Sequence, residues 1–410
     1  MSSIAPFKIN ISEERVQRLH QKLALTDFPD EISDLGSDEL WSRGVPLAEV
    51  KRLTAYWQDG FDWRKTEDAL NEFPQYTADI NIGGFGNYQI HFVHQTSDVV
   101  GAIPLLFLHG WPGSFIEVTK LLPLLANGGE SGPCFHVIAP SLIDFGFSTA
   151  SKMKSFGVDQ HAEAYHKLML ALGYEEYVIQ AGDVGYLIAR SIASKYGSKN
   201  CKAIHTNSAV PAEPNAELHS EVYAKVQSIP LSDSDKEGLV RTASVSKDGM
   251  GYYQQLSTRP QTIGYGLTDS PVGLLAWLHE KLHGWTDAYP WTDDEILTWV
   301  SIHYFSTAGA TAPGYVYYMM EHSSPSAFVA SQKYIAVPMG IARFARDLIL
   351  LPKPWNQTLG PIVYESEHQK GGHFAAWECP EEIVRDLRAM FGKGGPLSGC
   401  VDGKMDFEGL

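Results

Sequence analysis

The chain contains 410 residues, of which 44% are hydrophobic and 20% are charged, and its formal net charge is −16. This composition is typical of a globular protein with a large apolar core, and it argues against a disordered or collagen-like chain. The acidic balance weighs against nucleic-acid binding and against attraction to anionic membranes, because both usually require a basic surface.

The cysteines and the chain ends indicate an intracellular protein. Cys134, Cys201, Cys379 and Cys400 form no CxxC pair, which favours ordinary thiols over a disulfide framework. The first residues lack the apolar region of a signal peptide, and no run reaches the roughly 18 apolar residues of a membrane helix. We therefore expect a soluble, cytoplasmic protein that does not contact a membrane.

Short apolar runs alternate with amphipathic stretches from about residue 85, which predicts a parallel sheet covered by helices. Residues 1–84 are mainly helical and irregular in pattern, and we assign them to an N-terminal extension. The first part of the core, 85–211, has these predicted elements in chain order: strand 103–108, helix 115–126, strand 135–139, helix 158–172, strand 177–180, helix 184–196 and strand 201–205.

The alternation stops at residue 212 and resumes near residue 334. Residues 212–325 have helical periodicity and many aromatic side chains, which predicts a helical lid over a site. The second part of the core, 326–410, contains predicted strands 334–337 and 361–364 and a last helix at 380–392. The sequence therefore predicts an α/β core that is divided by a helical insertion.

The segment 180–185 (QAGDVG) joins a predicted strand directly to a predicted helix. The small residues Ala181 and Gly185 flank Asp183 with the spacing of a nucleophile elbow, a strained turn that tolerates only small neighbours. A carboxylate at this position can attack carbon and form an ester. The alternative is an ordinary turn in which Asp183 caps the helix. Ser148 has similar spacing in 146–150, but the polar residues that follow favour a loop there.

In sites built on a nucleophile elbow, an acid and then a histidine follow the nucleophile along the chain. Two later residues of this sequence fit that order. Asp347 follows a strand-like run, and His373 lies in a glycine-flanked loop before the last helix. Asp347 could orient His373 and stabilise its protonated form. A capping aspartate and a surface histidine are the alternatives for each residue taken alone.

The segment 109–113 (HGWPG) follows the first strand of the core. It could present the backbone N–H of Trp111 beside that of Val184, and two such donors form an oxyanion hole. The alternative is a tight turn that contains glycine and proline.

Together, these segments resemble the epoxide hydrolases of the α/β-hydrolase superfamily, in the microsomal-type branch that has soluble fungal members. The resemblance covers nearly the whole chain and rests on segments 60–64, 70–73, 109–113, 182–185, 257–260, 269–277 and 371–376. It implies a mostly parallel central sheet with helices on both faces. It also implies an enzyme without cofactor or metal that adds water to a small epoxide, through an aspartyl ester, to give a vicinal diol. A homodimer is a further expectation from the family.

The resemblance also implies that two lid tyrosines donate hydrogen bonds to the epoxide oxygen. By position these are Tyr252 and Tyr317, but Tyr253, Tyr315 and Tyr318 are near enough to leave the assignment open. A packing role is the alternative for any one of these tyrosines.

The chain departs from the pattern of the family at Ala181, where glycine is more usual, at Tyr186 and in the loop that contains Asp144. Asp144 lies in a loop that lacks the expected Pro-Gly, and Tyr186 is bulkier than expected just after the elbow. We expect Asp144 and Tyr186, together with Tyr253 and Tyr315, to lie near the substrate pocket.

Other functions stay open at this point. The segment 279–283 (HEKLH) matches HExxH, in which His279 and His283 would bind zinc and Glu280 would act as a base. It falls within the predicted lid, where a polar helix face is the alternative. A biosynthetic enzyme whose substrate opens its own epoxide with an internal hydroxyl, a haloalkane dehalogenase and a non-catalytic ligand receptor are further alternatives. The paired tyrosines favour an epoxide over a haloalkane.

Overall fold

A computed structural model describes residues 3–32, 34–127 and 132–401 of the chain. Residues 1–2 and 402–410, which belong to the chain ends from which we predicted no targeting segment, lie outside this description. None of the helices in these ranges combines the length and the apolar character that are required to cross a bilayer.

The described part of the chain contains one nine-stranded sheet with the order β1-β2-β3-β5-β4-β6-β7-β8-β9. The pairs β1/β2, β2/β3 and β3/β5 are antiparallel, and the remaining pairs are parallel. The strands are β1 (Ile4–Pro6), β2 (Gln75–Ile82), β3 (Gly86–Gln95), β4 (Ile103–Leu108), β5 (Phe135–Pro140), β6 (Tyr177–Ala181), β7 (Cys201–Thr206), β8 (Met339–Phe344) and β9 (Ile362–His368).

The helices fall into groups that follow the order of the strands. Those between β1 and β7 are α1 (Glu13–Ala24), α2 (Leu47–Asp59), α3 (Trp63–Leu70), α4 (Leu122–Ala126), α5 (Val158–Ala171) and α6 (Asp183–Tyr196). The lid group between β7 and β8 comprises α7 (Ser220–Ser228), α8 (Asp233–Ser244), α9 (Gly251–Thr258), α10 (Pro260–Asp269), α11 (Pro271–Gly284), α12 (Asp293–Tyr304), α13 (Tyr315–His322) and α14 (Ala327–Ser331). The chain continues with α15 (Ala375–Glu378) and α16 (Pro380–Phe391).

The central strands are apolar because both faces of the sheet are covered. Leu105 and Leu106 in β4 and Ile179 in β6 are all 0% exposed. A parallel strand that is buried on both faces has a nearly continuous apolar sequence rather than an alternating one. This explains why the run 103–108 predicts its strand without error at either end.

The sheet brings the loops after several strands to one edge. Leu108 pairs with Ala181 at the ends of β4 and β6, and Phe344 pairs with His368 at the ends of β8 and β9. β5 and β6 follow β4 in the chain and lie on opposite sides of it, so the order of the strands reverses at β4. Open α/β sheets hold their ligands at the carboxyl ends of the strands beside such a switch point.

Three details differ from the expectations. The predicted strand 334–337 is wrong, because β8 begins at Met339, after Pro338, which has no N–H for a strand ladder. The predicted helix 115–126 is divided into a 3₁₀ turn, Phe115–Val118, and α4, which has a proline in its first turn. The sheet also begins earlier than expected, since β2 precedes residue 85. The division of the chain into four parts remains a proposal.

Candidate active site

Asp183 lies at the junction of β6 and α6 in a strained conformation. Its φ is +50°, in the left-handed region that a residue with a side chain seldom adopts. A Cβ atom on Gly185 would lie 2.2 Å from the carbonyl oxygen of Leu108, so the helix can approach β4 this closely only with glycine there. A sharp turn with an obligatory small neighbour is the geometry of a nucleophile elbow.

The loop after β4 contacts the Asp183 carboxylate directly. The backbone N–H of Trp111 donates a hydrogen bond of 2.8 Å to Oδ1 of Asp183. A Cβ atom on Gly110 would lie 2.3 Å from this Oδ1, so glycine is what permits the approach. Val184 follows Asp183 in the first turn of α6, and its N–H as a second donor remains a prediction.

His373 lies between two carboxylates. Its Nδ1 is 2.8 Å from Oδ1 of Asp347, and its Nε2 is 3.4 Å from Oδ2 of Asp183. The backbone N–H of His373 donates to the carbonyl of Trp285, which ties the histidine loop to the end of α11. The loop after β8 and the loop after β9 thus bring the three side chains that the sequence singled out into one group.

The charges of this group control the protonation of His373. Burial by itself would lower the pKa of the imidazole, but the negative charges of Asp347 and Asp183 outweigh burial and raise this pKa to about 10. An imidazolium between two carboxylates is therefore the stable form at neutral pH. Its proton becomes easier to remove once one of the carboxylates loses its charge.

A cavity with about 630 Å³ of empty space lies between the elbow and the lid. Its walls are mainly apolar, but they include Asp183, His373 and several tyrosines. The lining residues are Asp183, Val184, Tyr186, Leu187, Ser208, Val210, Met250, Tyr252, Tyr253, Tyr317, Met320, Phe328, Asp347, Leu348, Ile349 and His373.

Tyr252 and Tyr317 are buried and face each other in this cavity. Their rings are nearly perpendicular, with centroids 5.8 Å apart, and the ring of Tyr252 stacks on Trp111 at 5.0 Å. Among the described residues the Tyr317 hydroxyl has no hydrogen-bond partner of normal geometry. Burial, reinforced by the charge of Asp183, raises the pKa of both phenols, so each remains a neutral donor.

The neighbouring tyrosines, Tyr253, Tyr315 and Tyr318, are less available as hydrogen-bond donors to a ligand in the cavity. The Tyr253 hydroxyl lines the cavity but donates a hydrogen bond to Glu321. The Tyr315 hydroxyl donates to Gln261 at 2.5 Å and is 37% exposed. Tyr318 is 38% exposed and stacks on His322.

A second, smaller cavity with about 340 Å³ of empty space borders the other side of the same group. Asp183 and His373 line it, together with Glu117, Gln180 and Asn207. Burial raises the pKa of Glu117 to about 8, so its carboxyl group is mostly protonated at neutral pH. Sequence reasoning missed Glu117, although a carboxylate among the apolar residues of the turn Phe115–Val118 is a signal that the sequence contains.

Two of the predicted pocket residues do not line the lid cavity. Asp144 is buried, but its Oδ1 accepts a hydrogen bond of 2.6 Å from the N–H of Ser151, so it holds its own loop. Tyr315 is directed to Gln261, as described above. Ser148 lies in a buried loop rather than a merely polar one, since it donates to the carbonyl of Ser141 and accepts from the N–H of His91. Tyr186 and Tyr253 do line the cavity.

The HExxH histidines face the N-terminal extension rather than the cavity. His283 stacks on Trp41 with ring centroids 3.6 Å apart, and His279 lies edge-on to Trp41 with its Nε2 3.5 Å from Glu49. Within the described ranges, no group of three or more histidine, cysteine or acidic side chains has the arrangement of a metal site. The pair therefore packs a lid helix against α2.

Comparisons with known proteins agree with this geometry. The family model described as epoxide hydrolase N terminus matches residues 4–118, and the model of the alpha/beta hydrolase fold matches 103–265. A putative epoxide hydrolase from Stigmatella aurantiaca is 36% identical, with 95% of this chain and 84% of that protein covered. Epoxide hydrolase 1 from Sus scrofa is 32% identical, with coverages of 95% and 89%. The structure of Aspergillus niger epoxide hydrolase matches with a TM-score of 0.80 and 34% identity, covering 94% of this chain and 95% of that chain.

The electrostatic coupling within the group gives a first prediction. We expect Asp183→Asn to lower the pKa of His373, because it removes one of the two carboxylates that raise it. An NMR titration of the imidazole would measure the change. Asp144→Asn, at a buried carboxylate that does not line the cavity, is the matched control and should leave the pKa of His373 in place. An unchanged pKa in Asp183→Asn would refute the coupling.

Proposed function

The chain belongs to the epoxide hydrolase family and adds water to an epoxide through an aspartyl ester to give a vicinal diol; on this premise we propose that Asp183 is the nucleophile. The observation that supports the assignment is that Asp183 and His373 line both cavities. The epoxide can approach the carboxylate from the lid side, and water can approach the ester from the other side.

The first step opens the ring. Oδ2 of Asp183 attacks an epoxide carbon, the C–O bond of the ring breaks, and the released oxygen takes a proton from Tyr252 or Tyr317. A buried phenol can donate to this oxygen without being ionised beforehand. The ester of Asp183 no longer carries a negative charge, so the pKa of His373 falls, and the imidazolium can return a proton to the phenolate.

The second step uses the neutral His373 as a base. It takes a proton from water, and the hydroxide attacks the carbonyl carbon of the ester. The N–H of Trp111, with the proposed help of Val184, holds the oxyanion at Oδ1. When the tetrahedral intermediate collapses, the imidazolium protonates the departing diol oxygen, and the new carboxyl group of Asp183 returns its proton to His373.

Asp347 and Glu117 support the second step in different ways. The charge of Asp347 orients the ring of His373 and stabilises the imidazolium. We assign to the Glu117 carboxyl group the role of holding the attacking water in the smaller cavity beside His373. A cavity that contains the polar side chains of Glu117, Gln180 and Asn207 on this side favours hydrolysis by water over opening of the ring by an internal hydroxyl of the substrate.

A single turnover in heavy-oxygen water tests the covalent route. With enzyme in excess, we expect the diol to be unlabelled, because its new oxygen comes from the Asp183 carboxylate. The label should appear in the peptide that contains Asp183, and under multiple turnovers also in the diol. A diol that carries the label after the first turnover would overturn the assignment and would favour direct attack by water.

The assignment of the lid tyrosines predicts separable effects. We expect Tyr252→Phe and Tyr317→Phe each to slow ring opening by roughly 100-fold, and the double variant to lose nearly all activity, because each removes a donor to the leaving oxygen. Stopped-flow measurement of ester formation gives the rate. Tyr253→Phe is the matched control, since its hydroxyl is already engaged by Glu321. Normal ring opening in the double variant would refute the assignment.

The assignment of Glu117 predicts a defect in the second step alone. We expect Glu117→Gln to slow ester hydrolysis by roughly 10-fold and to leave ring opening unchanged, since one hydrogen bond to the attacking water changes. The His373→Gln variant provides the comparison, because it should accumulate the ester almost completely. Intact-protein mass spectrometry would detect the adduct. Equal slowing of both steps by Glu117→Gln would instead indicate a general distortion of the site.

We propose a cytoplasmic location, as expected from the sequence, and a homodimer, as expected from the family. Fractionation of cells and sedimentation of the purified protein test them independently of catalysis.

A further inference from the structure

Lys281 in lid helix α11 is a buried cation surrounded by aromatic rings. Its Nζ lies 4.9 Å from the ring centroid of Tyr252, 5.5 Å from Trp277 and 5.9 Å from Trp285. Its side chain is 5% exposed. Trp277 and Trp285 stand one helical turn before and after Lys281, so the sequence itself places both rings on its face of the helix.

Two opposite charges of α11 lie near Tyr252: the ammonium group of Lys281 lies over its ring, and the carboxylate of Glu280 raises the pKa of its phenol. Glu280 forms an ion pair with the ammonium group, but its side chain is 38% exposed, so water screens its charge more strongly. On the other face of the helix, His279 and His283 pack against Trp41 and Glu49 of the N-terminal extension. From the core, Asp183 is the charged group that acts on Tyr252.

Ring opening moves negative charge toward this cation. Before the step, the charge is on Asp183; after it, Asp183 is a neutral ester and the charge is on the released oxygen and the phenol that holds it. An interaction that exists only after the charge has moved lowers the barrier, whereas one that is equal before and after does not. A desolvated cation against an aromatic face also interacts more strongly than an exposed one.

We propose that Lys281 is a positioning residue for ring opening, whose ammonium group stabilises the negative charge that passes to Tyr252 and the oxygen it binds. This inference rests on the proposed roles of Asp183 and Tyr252. Lys281 acts through the ring of Tyr252, which stacks on Trp111, and it has no part in the attack of water on the ester.

The proposal requires Lys281→Met to slow ester formation and to spare ester hydrolysis. With styrene oxide as the probe, rapid quenching and intact-protein mass spectrometry follow the formation and the decay of the ester in one turnover. We expect ester formation to slow by about 30-fold, which corresponds to about 2 kcal/mol at 1.36 kcal/mol per factor of ten. The decay rate should remain within about twofold of that of the unmodified enzyme, a change of less than 0.5 kcal/mol by the same conversion.

Three variants distinguish this role from packing. Lys281→Arg keeps a cation that can lie on aromatic faces and should restore most of the rate of ester formation. Lys120→Met removes another lysine that lies over two rings, Tyr289 and Trp377, away from the cavity, and should leave both steps unchanged. If Lys281→Met does not fold, Lys281→Gln, which is neutral and of similar length, replaces it in the same comparison.

A double-variant cycle tests whether Lys281 acts through Tyr252. In the Tyr252→Phe background, Lys281→Met should slow ester formation far less than in the unmodified enzyme. A full effect in that background, an equal slowing of ester formation and decay, or no effect at all would each overturn the proposal. If the unmodified enzyme forms no ester, the proposed function itself fails; if it forms the ester normally and Lys281→Met does so equally well, only the role of Lys281 fails.

Discussion

The rest of the site depends on the electrostatic interaction of the Asp183 carboxylate with His373 and with the two lid tyrosines, Tyr252 and Tyr317. The negative charge of this carboxylate stabilises the proton of His373, together with Asp347, and it raises the pKa of the two phenols across the cavity. While this charge is present, His373 cannot act as a base and the phenols remain donors. Both conditions suit the proposed ring opening, which would itself remove the charge and so prepare the histidine for the proposed second step.

The fold provides this arrangement through parallel strands that end at one edge. Asp183, Asp347 and His373 follow β6, β8 and β9, and they are far apart in the sequence but adjacent at the carboxyl ends of the sheet. The lid adds the opposite wall, and α11 is attached to the core where the Trp285 carbonyl accepts the His373 N–H. Trp285 also contacts the ring of Tyr252, with centroids 5.1 Å apart, and so links one lid tyrosine to His373.

The sequence predicts the parts of this site that depend on local geometry. The small neighbours of Asp183 indicate a strained turn, and Asp183 has a positive φ. The roles of Glu117 and Lys281 could not be read in this way, because they depend on contacts with distant segments. The tryptophans one helical turn before and after Lys281 are a local signal in the sequence. The same segment also matches HExxH, a pattern that predicts a role for its histidines and not for Lys281. The misplaced strand at 334–337 has a similar cause: apolar composition cannot show where a ladder begins, whereas Pro338 can.

The division of the space around Asp183 explains how one carboxylate can take part in two different reactions. The mainly apolar cavity on the lid side is the one to which we assign the epoxide. A smaller cavity on the other side, which contains several polar side chains, borders the same carboxylate and the same histidine. In the proposed mechanism the oxygen held by Trp111 stays on the aspartate, whereas the second oxygen bonds to the substrate, leaves with the diol and is replaced by the oxygen of water. The order of the two steps then follows from the charge of Asp183, without any movement of the lid.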